Sequence, residues 1–315
     1  MIQPSDITII IQGPYHNVYT PQAIKSVKKL LPLSRVILST WEGSKIGDDC
    51  PAVDMTLYNK DPKSDMFGNV NRQLCSTLAG LDQVNTEYVL KMRSDFVLTN
   101  LNMLSFAQAD APRKYPIFKR RIIAYVWRPQ NIFKKNKRLF HPGDFYYFGR
   151  TEDVKNLLQE PLAPAKSDFT KDKTLSKLSA EQYIWRSFLK KINFKNFSPE
   201  DIFESSKKDF FNRVLADNFI FLNYYEFGTR TLKSALKKNN IACSNSAFNF
   251  EDWLRISGCR LPRTNFPSTK IPFSKRAKIH SILLRARILQ LFYINKQKRE
   301  KARADVYDRI NAEDI

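Results

Sequence analysis

The sequence predicts an α/β fold built on an open, mainly parallel sheet flanked by helices. Two observations predict it. Apolar, β-branched runs alternate with helical periodicity over the first hundred residues, in the order β-α-β-β-α-β. The first run, ITIIIQGP at 7–14, is continuously β-branched until Gln12, and Gly13 and Pro14 end it, which is typical of a parallel strand buried on both faces.

The following elements continue the pattern. TPQAIKSVKKLL at 20–31 predicts a helix with Thr20 as its N-cap and Pro21 at its first position. Strands are predicted within 34–43 and 53–60, and a long helix within 66–84. The segment 87–99 then predicts a strand that enters a loop.

The middle of the chain is less regular. A short aromatic strand is predicted at 145–148, and a helix capped at Thr151 follows it. Ser179 and Gln182 form the signature of a capping box, so a helix is predicted over 178–191 with Glu181 in its first turn. Another buried strand is predicted within 218–228.

Composition limits the classes of partner. Of 315 residues, 52 are Lys or Arg and 31 are Asp or Glu, a formal net charge of +21. This excess favours a polyanionic partner: nucleic acid, an anionic membrane surface or a phosphorylated substrate. The amino terminus lacks a secretory pattern, and no run reaches the roughly eighteen apolar residues of a membrane span. Four scattered cysteines without a CxxC and three scattered histidines argue against zinc and disulfides, so we expect a cytoplasmic protein.

The carboxy-terminal region from about Thr269 is basic, and apolar residues recur in it at helical spacing. This pattern predicts a basic amphipathic helical tail, which an anionic membrane surface attracts. Nucleic-acid binding, or packing on the core with a solvated basic face, are the alternatives. Because no nucleic-acid reading motif is present, we expect the membrane surface and no nucleic acid.

Polar residues follow three of the predicted strands: Gln12-Gly13-Pro14, Ser39-Thr40-Trp41 and Arg93-Ser94-Asp95. In open α/β sheets the ligand lies beyond the carboxyl ends of the strands, so these groups are expected to converge on a site. Asp95 is a candidate for binding a ribose or a divalent cation, and Lys91 and Arg93 for binding phosphates. The alternative is a structural ion pair between Arg93 and Asp95.

Two further carboxylates are candidates for chemistry. Glu181 is a candidate general base for an acceptor hydroxyl, and Asp144, within an aromatic stretch, is a candidate for orienting an acceptor sugar. A solvent-exposed carboxylate at a helix start and a plain loop residue are the respective alternatives. Thr40 and Asp61 are weaker candidates for the same ligand pocket at the ends of the first strands.

Five segments resemble the WavE lipopolysaccharide-synthesis family: ITIIIQGP, RVILSTWEG, NRQLCSTLAGLDQVNTEYVLKMRSDFVL, DFYYFGRTEDV and AEQYIW. They occur in the family's order and cover about residues 6–225. The resemblance implies a GT-A-like, nucleotide-sugar-dependent glycosyltransferase. Its acceptor would be a lipopolysaccharide, lipooligosaccharide or capsular polysaccharide, on the inner face of the bacterial inner membrane.

The resemblance also implies roles for residues. In GT-A enzymes a D-x-D motif at the fourth strand's end holds the metal, Mn or Mg, and the donor diphosphate. Here that position reads Arg93-Ser94-Asp95, so Asp95 is the one candidate metal ligand and Arg93 is expected to do part of the metal's electrostatic work. Glu181 corresponds to the acceptor-side base of an inverting transfer. The donor site would comprise Gln12, Gly13, Pro14, Thr40, Asp61, Arg72, Lys91, Arg93 and Asp95.

The implied organisation is a nucleotide-sugar-binding half at 1–115, an acceptor-binding and catalytic half at 116–230, and a basic helical region at 231–315. Two other functions stay open. One is a transferase that moves a phosphorylated unit from a nucleotide-activated donor. The other is a non-enzymatic protein that binds membranes or nucleic acid.

Overall fold

The structure is a computed structural model, and its described residues are 2–62, 69–107, 111–125, 142–143, 145–164, 175, 178–195, 197–222, 227–232 and 250–258. The predicted basic tail and the candidate Asp144 lie outside these residues. Within them, no helix combines the length and the apolar character needed to cross a membrane.

The described strands form a seven-stranded sheet and a two-stranded ribbon. In chain order the strands are β1 (Ile7–Gln12), β2 (Arg35–Trp41), β3 (Met55–Asn59), β4 (Tyr88–Arg93), β5 (Phe96–Leu98), β6 (Ile122–Tyr125), β7 (Tyr146–Arg150), β8 (Phe219–Leu222) and β9 (Thr229–Thr231). The sheet has the order β3-β2-β1-β4-β7-β6-β8, and β5 pairs with β9 in the ribbon. Strands from both predicted halves of the chain therefore join one sheet.

Helices connect and cover the strands. They are α1 (Tyr19–Leu30), α2 (Val70–Leu81), α3 (Asn102–Phe106), α4 (Thr151–Leu158), α5 (Ala180–Lys191), α6 (Lys208–Asn218) and α7 (Phe250–Ser257). Short 3-10 helices span Pro4–Asp6, Pro199–Phe203 and Ser205–Lys207. The observed order of the first six major elements, β1-α1-β2-β3-α2-β4, is the predicted one.

The sheet is mainly parallel, as predicted. Strand β1 pairs in parallel with β2 and β4, and β2 pairs in parallel with β3. Strand β7 is the exception, because it runs antiparallel to its neighbours β4 and β6. The carboxyl ends of β1 to β4 consequently lie along one edge of the sheet, which we call the carboxyl edge.

Several predicted boundaries were wrong. Helix α1 begins at Tyr19, so Thr20 lies inside it, and the Thr20 Oγ1 accepts a hydrogen bond from the His16 amide at 2.9 Å. Thr151 is the first residue of α4 and not its cap, because its hydroxyl donates instead to the Thr86 carbonyl at 2.8 Å. The predicted strand at 87–99 is divided into β4 and β5. The capping box of Ser179 and Gln182 is confirmed.

Helix α2 packs unusually close to the centre of the sheet. A Cβ added to Gly80 would approach the Ile10 Cγ2 to 2.6 Å, a distance that real Cβ atoms essentially never show. Ile10 lies on β1 and is fully buried. Glycine at position 80 therefore sets the distance at which α2, which carries Arg72 and Ser76, lies over β1.

We expect Gly80→Ala to lower the free energy of unfolding. Overpacking a core contact costs about 1–3 kcal/mol, which outweighs the gain of about 1 kcal/mol in helix propensity. Denaturant unfolding of the wild type, both single variants and the double variant of Gly80→Ala with Ile10→Ala measures this. The loss in the double variant should be smaller than the sum of the two single losses. A Gly80→Ala protein more stable than the wild type would contradict the close-packing explanation.

Candidate functional site at the carboxyl edge

The structure brings the polar residues after β1, β2 and β4 together. Gln12 at the end of β1 lies opposite Ser39 of β2 on one side and opposite Arg93 of β4 on the other. The three segments that the sequence analysis singled out are therefore neighbours along the carboxyl edge. This is the convergence that the parallel topology predicts.

The turn after β1 is fastened to both neighbouring strands. The Gly13 amide donates to the Ser39 carbonyl at 3.0 Å, and the Ser94 amide donates to the Gln12 carbonyl at 3.0 Å. The Ser94 hydroxyl donates to the Pro14 carbonyl at 2.8 Å. Gly13 has φ +120°, and a Cβ there would lie 3.3 Å from the Ser94 Oγ. Only glycine fits this turn without strain, and Gly13 is itself buried.

Thr40 supports the loop after β1 from the protein interior. The Tyr15 amide donates to the Thr40 Oγ1 at 3.1 Å, and the Thr40 hydroxyl lies 3.2 Å from the Ser44 hydroxyl. Thr40 is fully buried, so its hydroxyl holds the backbone of the loop after β1 by a hydrogen bond from the protein interior. Pro14, by contrast, is exposed.

Arg93 and Asp95 form a bidentate ion pair at the end of β4. The Arg93 Nε donates to the Asp95 Oδ1 at 2.9 Å, and the Arg93 Nη2 donates to the Asp95 Oδ2 at 2.7 Å. The Asp95 side chain is 6% exposed and the Arg93 side chain 27%. The ion pair is therefore present, with the carboxylate inside and the guanidinium partly open to solvent.

The residues around this pair fix its position. The Arg93 guanidinium carbon lies 4.5 Å from the centroid of the Phe145 ring, within the range of a cation–π contact. The Leu232 amide donates to the Asp95 carbonyl at 3.0 Å, directly after β9. The ribbon of β5 and β9 thus holds the backbone of Asp95 in place.

The predicted divalent cation at Asp95 does not fit these residues. Both oxygens of the carboxylate accept hydrogen bonds from the Arg93 guanidinium, which brings a fixed positive charge to the place a cation would take. A divalent cation in a nucleotide site is held by one or two carboxylates together with substrate phosphates, and both oxygens of the Asp95 carboxylate already accept hydrogen bonds. Among the residues that the structure describes, no group of three His, Cys, Asp or Glu side chains is arranged to hold a metal ion.

Lys91 lies on β4 two residues before Arg93 and is 1% exposed. Its Nζ is 5.7 Å from the centroid of the Tyr147 ring on β7. A lysine within about 6 Å of an aromatic face gains electrostatic stabilisation from the ring. Lys91 is therefore enclosed by the protein and does not reach the open surface of the carboxyl edge.

A second Arg–Asp pair lies on the other side of β1. Arg72, in the first turn of α2, donates from Nε and Nη2 to the two carboxylate oxygens of Asp61 at 2.9 and 2.7 Å. The Arg72 and Asp61 side chains are 42% and 35% exposed. This pair is bidentate like the first, but far more open to water.

A polar network missed by the sequence analysis joins α2 to three strand ends. The Ser76 hydroxyl donates to the Gln12 Oε1 at 2.8 Å, and the Ser39 hydroxyl donates to the Ser76 carbonyl at 2.6 Å. The Asn59 Nδ2 in turn donates to the Ser39 Oγ at 2.9 Å. Two features of the sequence could have indicated this network. Ser76 lies one helical turn after Arg72, and Asn59 ends β3 at the same edge of the sheet.

Glu181 is the second residue of α5 and is partly exposed. The start of α5 is tied to the start of α2 through the segment 161–163. The Asn71 side chain exchanges two hydrogen bonds with the Ala163 backbone, at 2.8 and 2.6 Å, and the Tyr183 hydroxyl donates to the Pro161 carbonyl at 3.2 Å. This connection puts the first turn of α5 near the start of α2.

Tyr146 closes the site on the side of β7. Its hydroxyl is hydrogen-bonded to the Thr229 hydroxyl at 2.5 Å, and its ring packs edge-on against Phe96, 5.3 Å between centroids. Burial raises the pKa of the Tyr146 phenol well above its usual range, so the phenol remains protonated. The Tyr146 side chain is therefore an uncharged neighbour of the pair of Arg93 and Asp95.

Several solved glycosyltransferases are distantly similar to this chain. The galactosyltransferase LgtC, solved with donor and acceptor sugar analogues, is 10% identical with a TM-score of 0.35, over 82% of this chain and 98% of that chain. The mannosyltransferase PcManGT from Pyrobaculum calidifontis, solved with GDP-Man and Mn²⁺, is 10% identical with a TM-score of 0.39, over 100% and 90%. The glycosyltransferase GlyE from Streptococcus pneumoniae TIGR4 is 11% identical with a TM-score of 0.33, over 76% and 48%.

No curated protein matches the sequence. A family model, described as WavE lipopolysaccharide synthesis, matches residues 7–287. This match includes all the candidate site residues and extends beyond residue 225, where the similar segments end. It confirms the resemblance on which the sequence analysis relied. The chain belongs to the WavE lipopolysaccharide synthesis family.

Proposed function

We propose that this protein is a nucleotide-sugar-dependent glycosyltransferase that adds a sugar to a lipopolysaccharide, lipooligosaccharide or capsular polysaccharide acceptor. Family membership supports a role in lipopolysaccharide synthesis. The observation that carries the proposal is a partly exposed guanidinium, Arg93, held beside the turn of Gly13 at the carboxyl edge of a parallel sheet. Such an edge is where open α/β sheets bind nucleotides.

The donor would lie across the ends of β1 to β4. Gln12, Gly13 and Pro14 would form the base or ribose side of the site, where Pro14 is exposed and the buried Gln12 and Gly13 fix its position. Arg93 would bind the diphosphate, with the charge of Lys91 beneath it. The fainter candidates of the same pocket, on the side of β2 and β3, are Thr40, Asp61 and Arg72.

The reaction would use Glu181 as the general base. Its carboxylate would take the proton of an acceptor hydroxyl, and the hydroxyl oxygen would attack the anomeric carbon of the donor sugar. The bond from that carbon to the diphosphate oxygen breaks, and Arg93 would stabilise the charge that develops on the leaving diphosphate. Asp144, which lies outside the described residues, would orient the acceptor.

The excess of positive charge suits the proposed acceptor and location. A net charge of +21 would attract a phosphorylated glycolipid acceptor. The basic tail after Thr269, also outside the described residues, would dock on the anionic cytoplasmic face of the inner membrane. This part of the proposal is supported by the sequence pattern alone.

The first test is a thermal-shift screen of the purified protein with UDP, GDP, ADP and CMP. A nucleotide at a hundred times its Kd should stabilise the folded protein by about 2.7 kcal/mol, which a melting curve resolves. We expect one nucleotide class to raise the Tm, and its sugar conjugate to be consumed with release of the nucleotide. If instead a phosphorylated unit passes to the acceptor, the protein is a different transferase. Salt-dependent DNA binding without any nucleotide shift would indicate a binding protein.

Glu181→Gln should reduce kcat by about 10²–10⁴-fold, because the amide cannot accept the acceptor's proton. Affinity for the nucleotide should not change. The matched control is Glu152→Gln, because Glu152 is likewise the second residue of a helix, α4, and forms an exposed ion pair with Lys119. Steady-state kinetics of both variants measure the difference. Equal rates in Glu181→Gln and the wild type would eliminate Glu181 as the base.

Gly13→Ala should weaken nucleotide binding by about ten- to a hundredfold, because a displaced turn misplaces the groups that contact the donor. Gly43→Ala is the control: Gly43 also has a positive φ, +79°, but its Cβ would meet no atom within 4 Å. Both variants share a backbone strain of about 1–3 kcal/mol, so Tm values should fall in both. Calorimetric titration should show weaker binding only in Gly13→Ala; equal affinities in the two variants would argue against the turn as part of the donor site.

A further inference from the structure

We propose that the Arg93 guanidinium binds the donor diphosphate directly, without a divalent cation, and that Asp95 is a positioning residue that holds the guanidinium. This inference rests on the proposed function and deepens it. It takes the donor to be a nucleoside diphosphate sugar, as the proposed function does, and it reverses the role that the resemblance implied for Asp95.

The order of burial within the pair supports this assignment. Asp95 is the inner partner, with a side chain 6% exposed, and Arg93 is the outer one, at 27%. An anion that approaches from solvent therefore meets the guanidinium before it meets the carboxylate. A metal ion, to reach the Asp95 oxygens, would have to displace two hydrogen bonds of 2.9 and 2.7 Å from Arg93.

The guanidinium is held in one orientation before any ligand binds. The bidentate contact with Asp95 fixes its plane, and the Phe145 ring lies 4.5 Å away. The backbone of Asp95 is itself fixed by the Leu232 amide and by the pairing of Phe96 with Thr231. Preorganised donors stabilise developing charge better than donors that must reorient, so this support is what a phosphate-binding arginine requires.

Local charge also favours an anion over a cation. The side chains of Lys91, Arg93 and Asp95 carry a formal net charge of +1. Lys91 is 1% exposed, so its field is less screened by water than that of a surface lysine. A divalent cation at Asp95 would be repelled by the Arg93 guanidinium, which lies 2.7 Å from the carboxylate, whereas a diphosphate is attracted by it.

The ion pair between Arg150 and Glu87 shows the contrast. At the opposite edge, Arg150 of β7 donates to Glu87 just before β4, at 2.8 Å, with side chains 32% and 50% exposed. There the carboxylate is the more exposed partner. Arg150 has nearly the exposure of Arg93 but lies away from the carboxyl edge, which makes it the matched control.

The test measures the Kd of nucleoside diphosphates and the corresponding monophosphates by calorimetric titration of the wild type, Arg93→Gln, Asp95→Asn, their double variant and Arg150→Gln. Each titration is done with EDTA and again with Mn²⁺. We expect the wild type to bind a diphosphate equally well in both conditions. Arg93→Gln should weaken diphosphate binding by about ten- to a hundredfold, the usual loss for a hydrogen bond to a charged group.

Three further results are expected if Asp95 acts through Arg93. Asp95→Asn should weaken binding less than Arg93→Gln, because asparagine still accepts one hydrogen bond from the guanidinium. In the double variant, Asp95→Asn should add almost nothing to the loss from Arg93→Gln. The preference for diphosphate over monophosphate should shrink in Arg93→Gln and persist in Arg150→Gln.

Other outcomes overturn the inference in distinguishable ways. Diphosphate binding that requires Mn²⁺, is abolished by Asp95→Asn and survives Arg93→Gln would make Asp95 a metal ligand while leaving the proposed function intact. Additive losses in the double variant would show that Asp95 contacts the donor independently. A wild type that binds none of the nucleotides would refute the proposed function, and this inference with it. Melting curves confirm that each variant is folded.

Discussion

The bidentate pair of Arg93 and Asp95 is the interaction on which the rest of the site depends. It lies at the end of β4, a central strand whose residues are otherwise largely buried, and charged groups in such a place must be paired or must face a ligand. The two side chains pair with each other, and Arg93 also faces the edge where a ligand would bind. The carboxylate is buried and hydrogen-bonded by the guanidinium, and the guanidinium remains partly open to the carboxyl edge.

The surrounding elements serve to hold this edge in shape. Gly80 lets α2 lie close to β1, and from that position Ser76 reaches Gln12 and the strand ends beside it. The turn at Gly13 is closed by Ser94, the residue between the two members of the charged pair. A backbone that is hydrogen-bonded on both sides of a charged group loses little conformational entropy when a ligand binds. The binding free energy is therefore reduced less by the cost of ordering the site.

The parts of this arrangement that follow from local pattern could be predicted from the sequence. The run ITIIIQGP predicted a buried parallel strand, and the parallel topology then predicted that the polar groups after three strands converge, as Gln12 and Arg93 do. Features set by distant pairing could not be predicted. The ribbon of β5 and β9 joins residues more than a hundred positions apart, and the antiparallel insertion of β7 reflects tertiary packing and not local propensity. Sequence also left open whether Arg93 and Asp95 pair with each other, because that depends on side-chain geometry.

The most direct measurement of the central claim is a crystal structure of the protein with the nucleoside diphosphate that stabilises it most, grown in EDTA. We expect density for the diphosphate at the carboxyl edge, within hydrogen-bonding distance of the Arg93 guanidinium, with the contact between Arg93 and Asp95 retained. Density for the nucleotide elsewhere on the protein, or a diphosphate at this edge that does not contact Arg93, would contradict it.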